Sequence, residues 1–286
     1  MPELPEVETI KRGLSKFILK HKIKKIDILC DKSFLGTPVT GTVINIRRFG
    51  KALVIDLDNE NSLMIHLRMT GQLIYDSNTN AQKRYAAGHP SENFVSALPN
   101  KQTRVILTFD NGTLYFNDQR KFGFIKVMKT SEVETDAFIK KLAPEPWAMT
   151  TEELYATLQK HKASCIKATI LDQTIICGLG NIYADEALFA SNIHPERKSG
   201  SLSLLETDLL LKSAREVMDR SIASGGSTMA TYVKADGTRG DYLEKFAQVF
   251  RREGKSCPRC GETIIKTRVA GRGTHICPHC QRINHD

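Results

Sequence analysis

No stretch of this 286-residue chain is apolar for long enough to cross a bilayer, and its first residues lack the apolar core of a secretion signal. A membrane-spanning or exported protein is therefore not expected, and the cytoplasm is the expected location. Cysteine is sparse and uneven. Four of the seven stand in two Cys-x-x-Cys pairs, while Cys30, Cys165 and Cys177 are scattered. That pattern excludes a disulfide framework and indicates a metal site in a reducing compartment. Internal repeats are absent, which excludes a solenoid. Carboxylates are outnumbered, 32 against 41 Lys and Arg, giving a net charge of +9. An acidic partner is implied, nucleic acid first among them.

What is present suggests two domains with a small appendage. From Glu6 to Leu19, Val7, Ile10, Leu14 and Phe17 recur at helical spacing. Short β-rich segments follow at 23–29, 39–47, 52–57, 62–67, 72–75, 104–109, 113–117 and 123–128, the pattern of a β-sandwich or barrel. Asn111-Gly112 is a hairpin signal. Residues 76–103 are polar and without period, and are expected to form a long loop. Near Pro144 to Trp147 the character changes to helical. Thr150 and Glu153 form a capping box for a helix to about Lys160. Further helices are expected over 164–171, over 181–191, and from Ser203 until Gly225-Gly226 ends the last.

Three stretches carry chemistry. Cys257-x-x-Cys260 and Cys277-x-x-Cys280, sixteen residues apart, predict a closed tetrahedral site for one structural zinc ion. Residues 251–286 hold eight Lys and Arg against three carboxylates, so the segment stays basic even with four thiolates on a divalent ion. Between the pairs, 264–270 and 274–277 alternate like a hairpin, with Gly271-Arg272-Gly273 expected at the tip. Arg272 there is either a phosphate grip or a surface turn residue. Gly178-Leu179-Gly180-Asn181 before a helix is either a phosphate seat or an ordinary N-cap. The third stretch is Met1-Pro2-Glu3-Leu4-Pro5-Glu6-Val7-Glu8. Loss of Met1, favoured before Pro, leaves a secondary amine that can attack a carbon bearing a leaving group and become an iminium. With a free pKa of about 7.7–8.0, such an amine is partly neutral near pH 7. The same residues also suit the start of a plain amphipathic helix.

The N-terminal run, the turn Gly178-Leu179-Gly180-Asn181-Ile182-Tyr183, and Val269-Ala270-Gly271-Arg272-Gly273-Thr274-His275 between the cysteine pairs occur here in one order. Together they resemble bacterial formamidopyrimidine-DNA glycosylases over nearly the whole chain. The resemblance implies an α+β fold: an N-terminal β-sandwich with an N-terminal helix, a helix-two-turns-helix domain and a C-terminal zinc ribbon. The expected divisions are 1–135, a linker 136–149, 150–224, a lesion-covering loop and connector 225–252, and 253–286. It implies a monomer acting at the bacterial nucleoid on double-stranded DNA with oxidised bases or abasic sites. Oxidised purines would be removed through a Schiff base and the strand cut by β,δ-elimination. Pro2 would be the nucleophile, Glu3 the acid and base at the sugar oxygen, and Glu6 a shaping residue. Lys51 would assist the lyase step, and Arg272 the second elimination. His66, Lys162, Asn181 and Arg272 would bind phosphate, while Met69, Arg120 and Phe122 would fill the gap left by the everted base. Ser227 falls in the lesion-covering loop.

Three departures stand out. Residues 76–103 look longer than in many members, Gln102 stands where relatives often carry a phosphate-binding His, and Ala230 replaces a residue often basic. Two other readings are an endonuclease VIII-like enzyme for oxidised pyrimidines and a non-catalytic zinc-ribbon DNA-binding module. Leu4 and the set Met69, Arg120 and Phe122 favour the purine branch, because the sister class usually has Gly at position 4.

Overall fold

Apolar side chains at helical spacing make the first element, helix α1 (Leu4–Ile18), which starts two residues before the expected span and ends one residue before its end. Glu3 is its N-cap, and the Glu3 N–H donates to the Glu6 carboxylate at 2.8 Å. Pro5 sits in the first turn, where its missing N–H costs nothing. The apolar face of α1 (Val7, Ile10, Leu14 and Phe17) is buried in the largest core of the chain. The computed structural model describes residues 2–78, 84–89, 96–226 and 242–283. Two compact units divide the chain, Met1–Lys140 with Ser224–Asp241, and Lys141–Ala223 with Tyr242–Asp286.

The first unit holds strands β1 (Lys22–Ile28), β2 (Phe34–Leu35), β3 (Gly41–Phe49), β4 (Ala52–Leu57), β5 (Asn61–His66), β6 (Gly71–Ser77), β7 (Arg84–Gly88), β8 (Thr103–Phe109), β9 (Gly112–Asp118) and β10 (Phe124–Lys129). They run β2-β10-β5-β4-β3 and then β1-β8-β9-β6-β7. A short pairing, Lys22 with Thr42 and Ile23 with Gly41, joins the halves. Leu53, Ile55, Leu63 and Ile65 from one half meet Leu73, Val105, Leu107 and Phe116 from the other in the shared core, which makes the expected sandwich. All pairings are antiparallel except β2 with β10. Strands β4 and β5 are buried on both faces, because Phe49, Phe124, Val133, Phe138 and Ile139 cover their outer side.

Two details correct the sequence reading. Strand β7 lies inside the presumed loop 76–103 and pairs with β6. Its Arg-Tyr-Ala-Ala-Gly carries little β propensity, yet Tyr85 is buried against Phe17. The β8–β9 hairpin forms, but its turn is Asp110-Asn111, and Gly112 is already in strand. A Cβ on Gly112 would lie 2.5 Å from the Tyr75 hydroxyl, so close packing and not a left-handed turn requires glycine there. Asn111 is a buried clasp. It accepts from the Tyr75 hydroxyl at 2.6 Å and donates to the carbonyl of Phe17 at 2.8 Å.

The second unit holds helices α2 (Thr151–Lys160), α3 (Ile166–Leu171), α4 (Asn181–Ala190), α5 (Leu204–Ala223) and α6 (Tyr242–Lys245), and the hairpin β11 (Ile265–Val269) with β12 (Arg272–Ile276). The capping box of Thr150 and Glu153 starts α2 as its sequence requires. Helix α4 is buried on nearly every side, and the Tyr183 hydroxyl meets Ser221 of α5 at 2.5 Å. Phe189 of α4 packs with Val249, Ile264 and two of the cysteines, which joins the ribbon to the helices. Among the described residues no helix is long and apolar enough to cross a membrane.

Replacing Asn111 by Ala orphans two buried partners and should destabilise the protein by about 2–4 kcal/mol. Urea unfolding measures it; a loss below about 0.5 kcal/mol would mean that the carboxamide holds nothing together.

Candidate functional site

In the first unit, three of the sequence-predicted residues stand at the start of α1. Pro2, Glu3 and Glu6 are buried there; Met1 lies outside the described residues. Lys51 is buried in the β3–β4 turn, which Gly50 permits with φ of +55°. That turn is fastened to the helix by an ion pair missed at the sequence level. Arg48 donates to the Glu8 carboxylate at 2.9 Å and to the carbonyl of Gly50 at 3.1 Å. Arg12 donates to the other Glu8 oxygen, also at 2.9 Å. Burial alone would raise the Glu8 pKa, but Arg48 and Arg12 overcome it and hold the carboxyl below its ordinary value.

His66 stands beside this turn, since Ala52 faces it across the β4–β5 pairing. It is 5 % exposed, its ring stacked on Phe124 and edge-on to Phe138. Burial, then the charges of Arg68 and Lys51, push its pKa from 6.5 to about 3. Its Nδ1 accepts from the Arg68 N–H at 3.0 Å, so the single proton of the neutral ring sits on Nε2. Toward a phosphate it offers a hydrogen bond and no charge.

Two neighbouring loops carry Met69, Arg120 and Phe122. Met69 is half-buried, and Phe122 is 54 % exposed with the Arg120 guanidinium 4.7 Å from its ring centre. Gln102 is half-buried, its carbonyl accepting from the Asp118 N–H at 2.9 Å. Ser227 and Ala230 lie outside the described residues, as does most of 225–240.

The second unit brings Asn181 and Arg272 together. Asn181 opens α4, where the positive end of the helix dipole favours an anion. Its Nδ2 donates to the carbonyl of Gly273, the residue after Arg272, at 2.9 Å. The hairpin turn is Ala270-Gly271, both left-handed, so Arg272 is the first residue of β12 and not the tip as expected. Its side chain is exposed. Lys162 is exposed on the loop after α2.

Behind Arg272 lies a second group that the sequence did not disclose. Lys167 is fully buried, donating to Asp185 at 2.6 Å, to Thr274 Oγ1 at 2.7 Å and to the carbonyl of Gly273 at 3.2 Å. The other Asp185 oxygen accepts from the His275 N–H at 3.0 Å. A lysine in a six-residue apolar helix gives no outward sign of such a role. Glu186, beside Asp185, accepts from the N–H groups of Gln248, Val249 and Phe250, and burial raises its pKa despite them.

The four Sγ atoms of Cys257, Cys260, Cys277 and Cys280 lie within 4.8 Å of one another, with separations of 3.9, 3.5 and 3.5 Å on three edges. A tetrahedron of zinc–sulfur bonds of ~2.3 Å has edges of about 3.8 Å. Donor set and spacing fit one structural zinc ion, with no position left for a substrate.

The neutral state of His66 has a pH consequence. The unfolded chain takes up this proton near pH 6.5, the folded chain only near pH 3. Its contribution is therefore complete above pH 6.5 and is lost as pH falls toward 3, by up to about 1.4 kcal/mol per pH unit. Urea unfolding at pH 7 and pH 5 should show this loss in the wild type and a smaller one in His66→Gln. Equal slopes would contradict the assignment.

Three family descriptions match the sequence. The formamidopyrimidine-DNA glycosylase N-terminal domain covers residues 1–125, its H2TH domain 142–233, and a zinc finger found in FPG and IleRS 254–283. The formamidopyrimidine-DNA glycosylase of an Exiguobacterium species is 38% identical, over 99% of this chain and 100% of that one. That of Desulfitobacterium hafniense is also 38% identical, over 98% and 100%. Among solved structures, the Lactococcus lactis Fpg with abasic-site DNA has a TM-score of 0.84 at 33% identity, covering 99% of this chain and 100% of that one. A mutant of that protein with Fapy-dG DNA gives 0.85 at 33%, with the same coverage. Matched along its whole length in sequence, fold and cysteine cluster, the chain belongs to the formamidopyrimidine-DNA glycosylase family.

Proposed function

We propose that this chain removes oxidised purines, 8-oxoguanine and formamidopyrimidines, from duplex DNA and cuts the strand at the same site. The observation that carries the reading is the burial of Pro2, Glu3 and Glu6 at the head of α1, with the Lys51 turn tied to that helix through Arg48 and Glu8. Once Met1 is removed, the Pro2 nitrogen attacks C1′ of the damaged nucleotide. The glycosidic bond breaks and the base leaves with a proton. Glu3, beside the amine, supplies and takes protons around the sugar oxygen as the ring opens to an iminium. The iminium acidifies the C2′ proton. Its removal expels the 3′ phosphate, and a second elimination expels the 5′ phosphate. Hydrolysis then frees Pro2.

Each unit contributes to binding the backbone. Lys51 and the Nε2–H of His66 serve the first unit; Lys162, Asn181 and Arg272 serve the second, and Arg272 assists the second elimination. Met69, Arg120 and Phe122 occupy the space of the everted base: the two apolar side chains act as wedges, and arginine hydrogen-bonds the orphaned cytosine. Gln102 stands near the backbone as a neutral contact, and Ser227 belongs to the loop that covers the lesion. Zinc, when bound by the four cysteines, braces the hairpin that carries Arg272. The chain acts as a monomer in the cytoplasm, at the nucleoid when engaged.

Borohydride on a mixture with oxidised-guanine duplex should trap a covalent adduct at Pro2, on a chain whose mass lacks Met1. Pro2→Gly should lose most base excision; a variant with full activity would sink the mechanism. Arg272→Ala should weaken binding and leave the strand after the first elimination, with a salt dependence of log K shallower by roughly one phosphate contact. Unchanged affinity at physiological salt would exclude Arg272 as a phosphate ligand.

A further inference from the structure

The proposed wedge residues are held in an unfavourable arrangement. Phe122 is more than half exposed, Arg68 and Lys121 have left-handed backbones at φ of +51° and +57°, and both loops lie at the surface. Packing alone would not hold a phenylalanine in water. One buried group does. Asp118, the last residue of β9, is fully buried, and among the described residues its carboxylate is bonded by uncharged donors. Oδ1 accepts from the Thr70 hydroxyl and from the Arg120 N–H at 3.1 Å. Oδ2 accepts from the N–H groups of Phe122 at 2.8 Å and Gly123 at 2.7 Å. The Thr70 oxygen in turn accepts from the Arg120 N–H at 3.1 Å.

Thr70 follows Met69 directly, so this one carboxylate and one hydroxyl stitch the Met69 loop to the Arg120–Phe122 loop. The rest of the neighbourhood supports the stitch. Arg104 donates to the carbonyl of Asp118 at 2.8 Å, fixing the end of the strand. Gly71 closes its turn on the carbonyl of Leu67 at 2.9 Å. A Cβ on Gly123 would lie 2.8 Å from the Phe116 ring and 3.2 Å from Asp118 Oδ2, so any other residue would push the loop off the carboxylate. A buried carboxylate is tolerated only when donors replace its water shell, and here those donors are the backbone of the loop itself.

We propose that Asp118, bridged by Thr70, is a positioning residue that forms the Met69, Arg120 and Phe122 wedge before DNA arrives and thereby sets selectivity for the base opposite the lesion. The inference rests on the reading of those three residues given above. Preorganisation is its physical content: loops already in their bound shape do not lose ordering entropy on insertion. A loosened Arg120 still carries its charge but no longer tests one base edge, so discrimination falls further than affinity.

The test uses the full chain with zinc, on three duplexes: 8-oxoguanine opposite cytosine, 8-oxoguanine opposite adenine, and a ready-made abasic site. Thr70→Val removes the bridge but leaves the bonds to Phe122 and Gly123; Thr70→Ser keeps the hydroxyl; Asp118→Asn turns one acceptor into a donor facing N–H groups. With one or two hydrogen bonds lost, single-turnover excision opposite cytosine should fall about tenfold in Thr70→Val and roughly a hundredfold in Asp118→Asn. That loss should exceed the loss in borohydride trapping on the abasic duplex by at least about fivefold, and the cytosine-over-adenine preference should shrink at least about threefold. Thr70→Ser should restore both readouts. If Thr70→Val and Thr70→Ser behave alike, or the preference is unchanged in Thr70→Val, the proposal is overturned. If the wild type itself traps on no duplex, the catalytic reading fails and this inference falls with it; trapping by the wild type with an unaltered preference in every variant removes Asp118 alone.

Discussion

The contact between Glu8 and Arg48 is the constraint on which the first unit depends. A charge-assisted hydrogen bond adds a fixed orientation to the packing of α1 against the β3–β4 turn. With it, the buried start of the helix and the buried Lys51 belong to one rigid body. A carboxylate held charged by two arginines also places negative charge two residues beyond Glu6. Amine chemistry at a chain end requires this kind of anchoring, because a terminus is ordinarily the least ordered part of a protein.

The second unit solves a comparable problem with different materials. An arginine on a small metal-braced hairpin would wander if only the zinc knuckles held it. Instead, the strand behind Arg272 is bound to α3 and α4 through Lys167, Asp185 and Asn181, and the far side of the ribbon packs on Phe189. The metal fixes the hairpin internally, and the buried ion pair fixes it to the helices.

Much of this was legible in the sequence, and the reasons differ by element. Helix α1, the capped helix α2 and the Cys-x-x-Cys pairs announce themselves because local spacing alone determines them. Strand β7 stayed hidden because Tyr85 acts through tertiary burial that Ala and Gly neighbours do not advertise. The turn at Asp110-Asn111 was misplaced because Gly112 serves close packing, a requirement that looks identical to turn chemistry in one dimension. Among site residues, those that meet DNA in the proposed reaction stand in recognisable motifs. The groups that hold them do not. Asp118, Thr70, Glu8, Arg48 and Lys167 are ordinary residue types whose partners lie up to about a hundred residues away in sequence, as with Lys167 and Thr274.

Lys167 and Asp185 have an evolutionary corollary. Each neutralises the other in a site closed to the surface, so a change at one position alone leaves an uncompensated buried charge. Drift at these two positions is therefore restricted to paired substitutions, or to a route through a neutral residue that keeps the volume and gives up the hold on Gly273 and Thr274. Lineages that have taken such a route should be recognisable by changes at both sites together, with the hairpin beside Arg272 anchored in some other way.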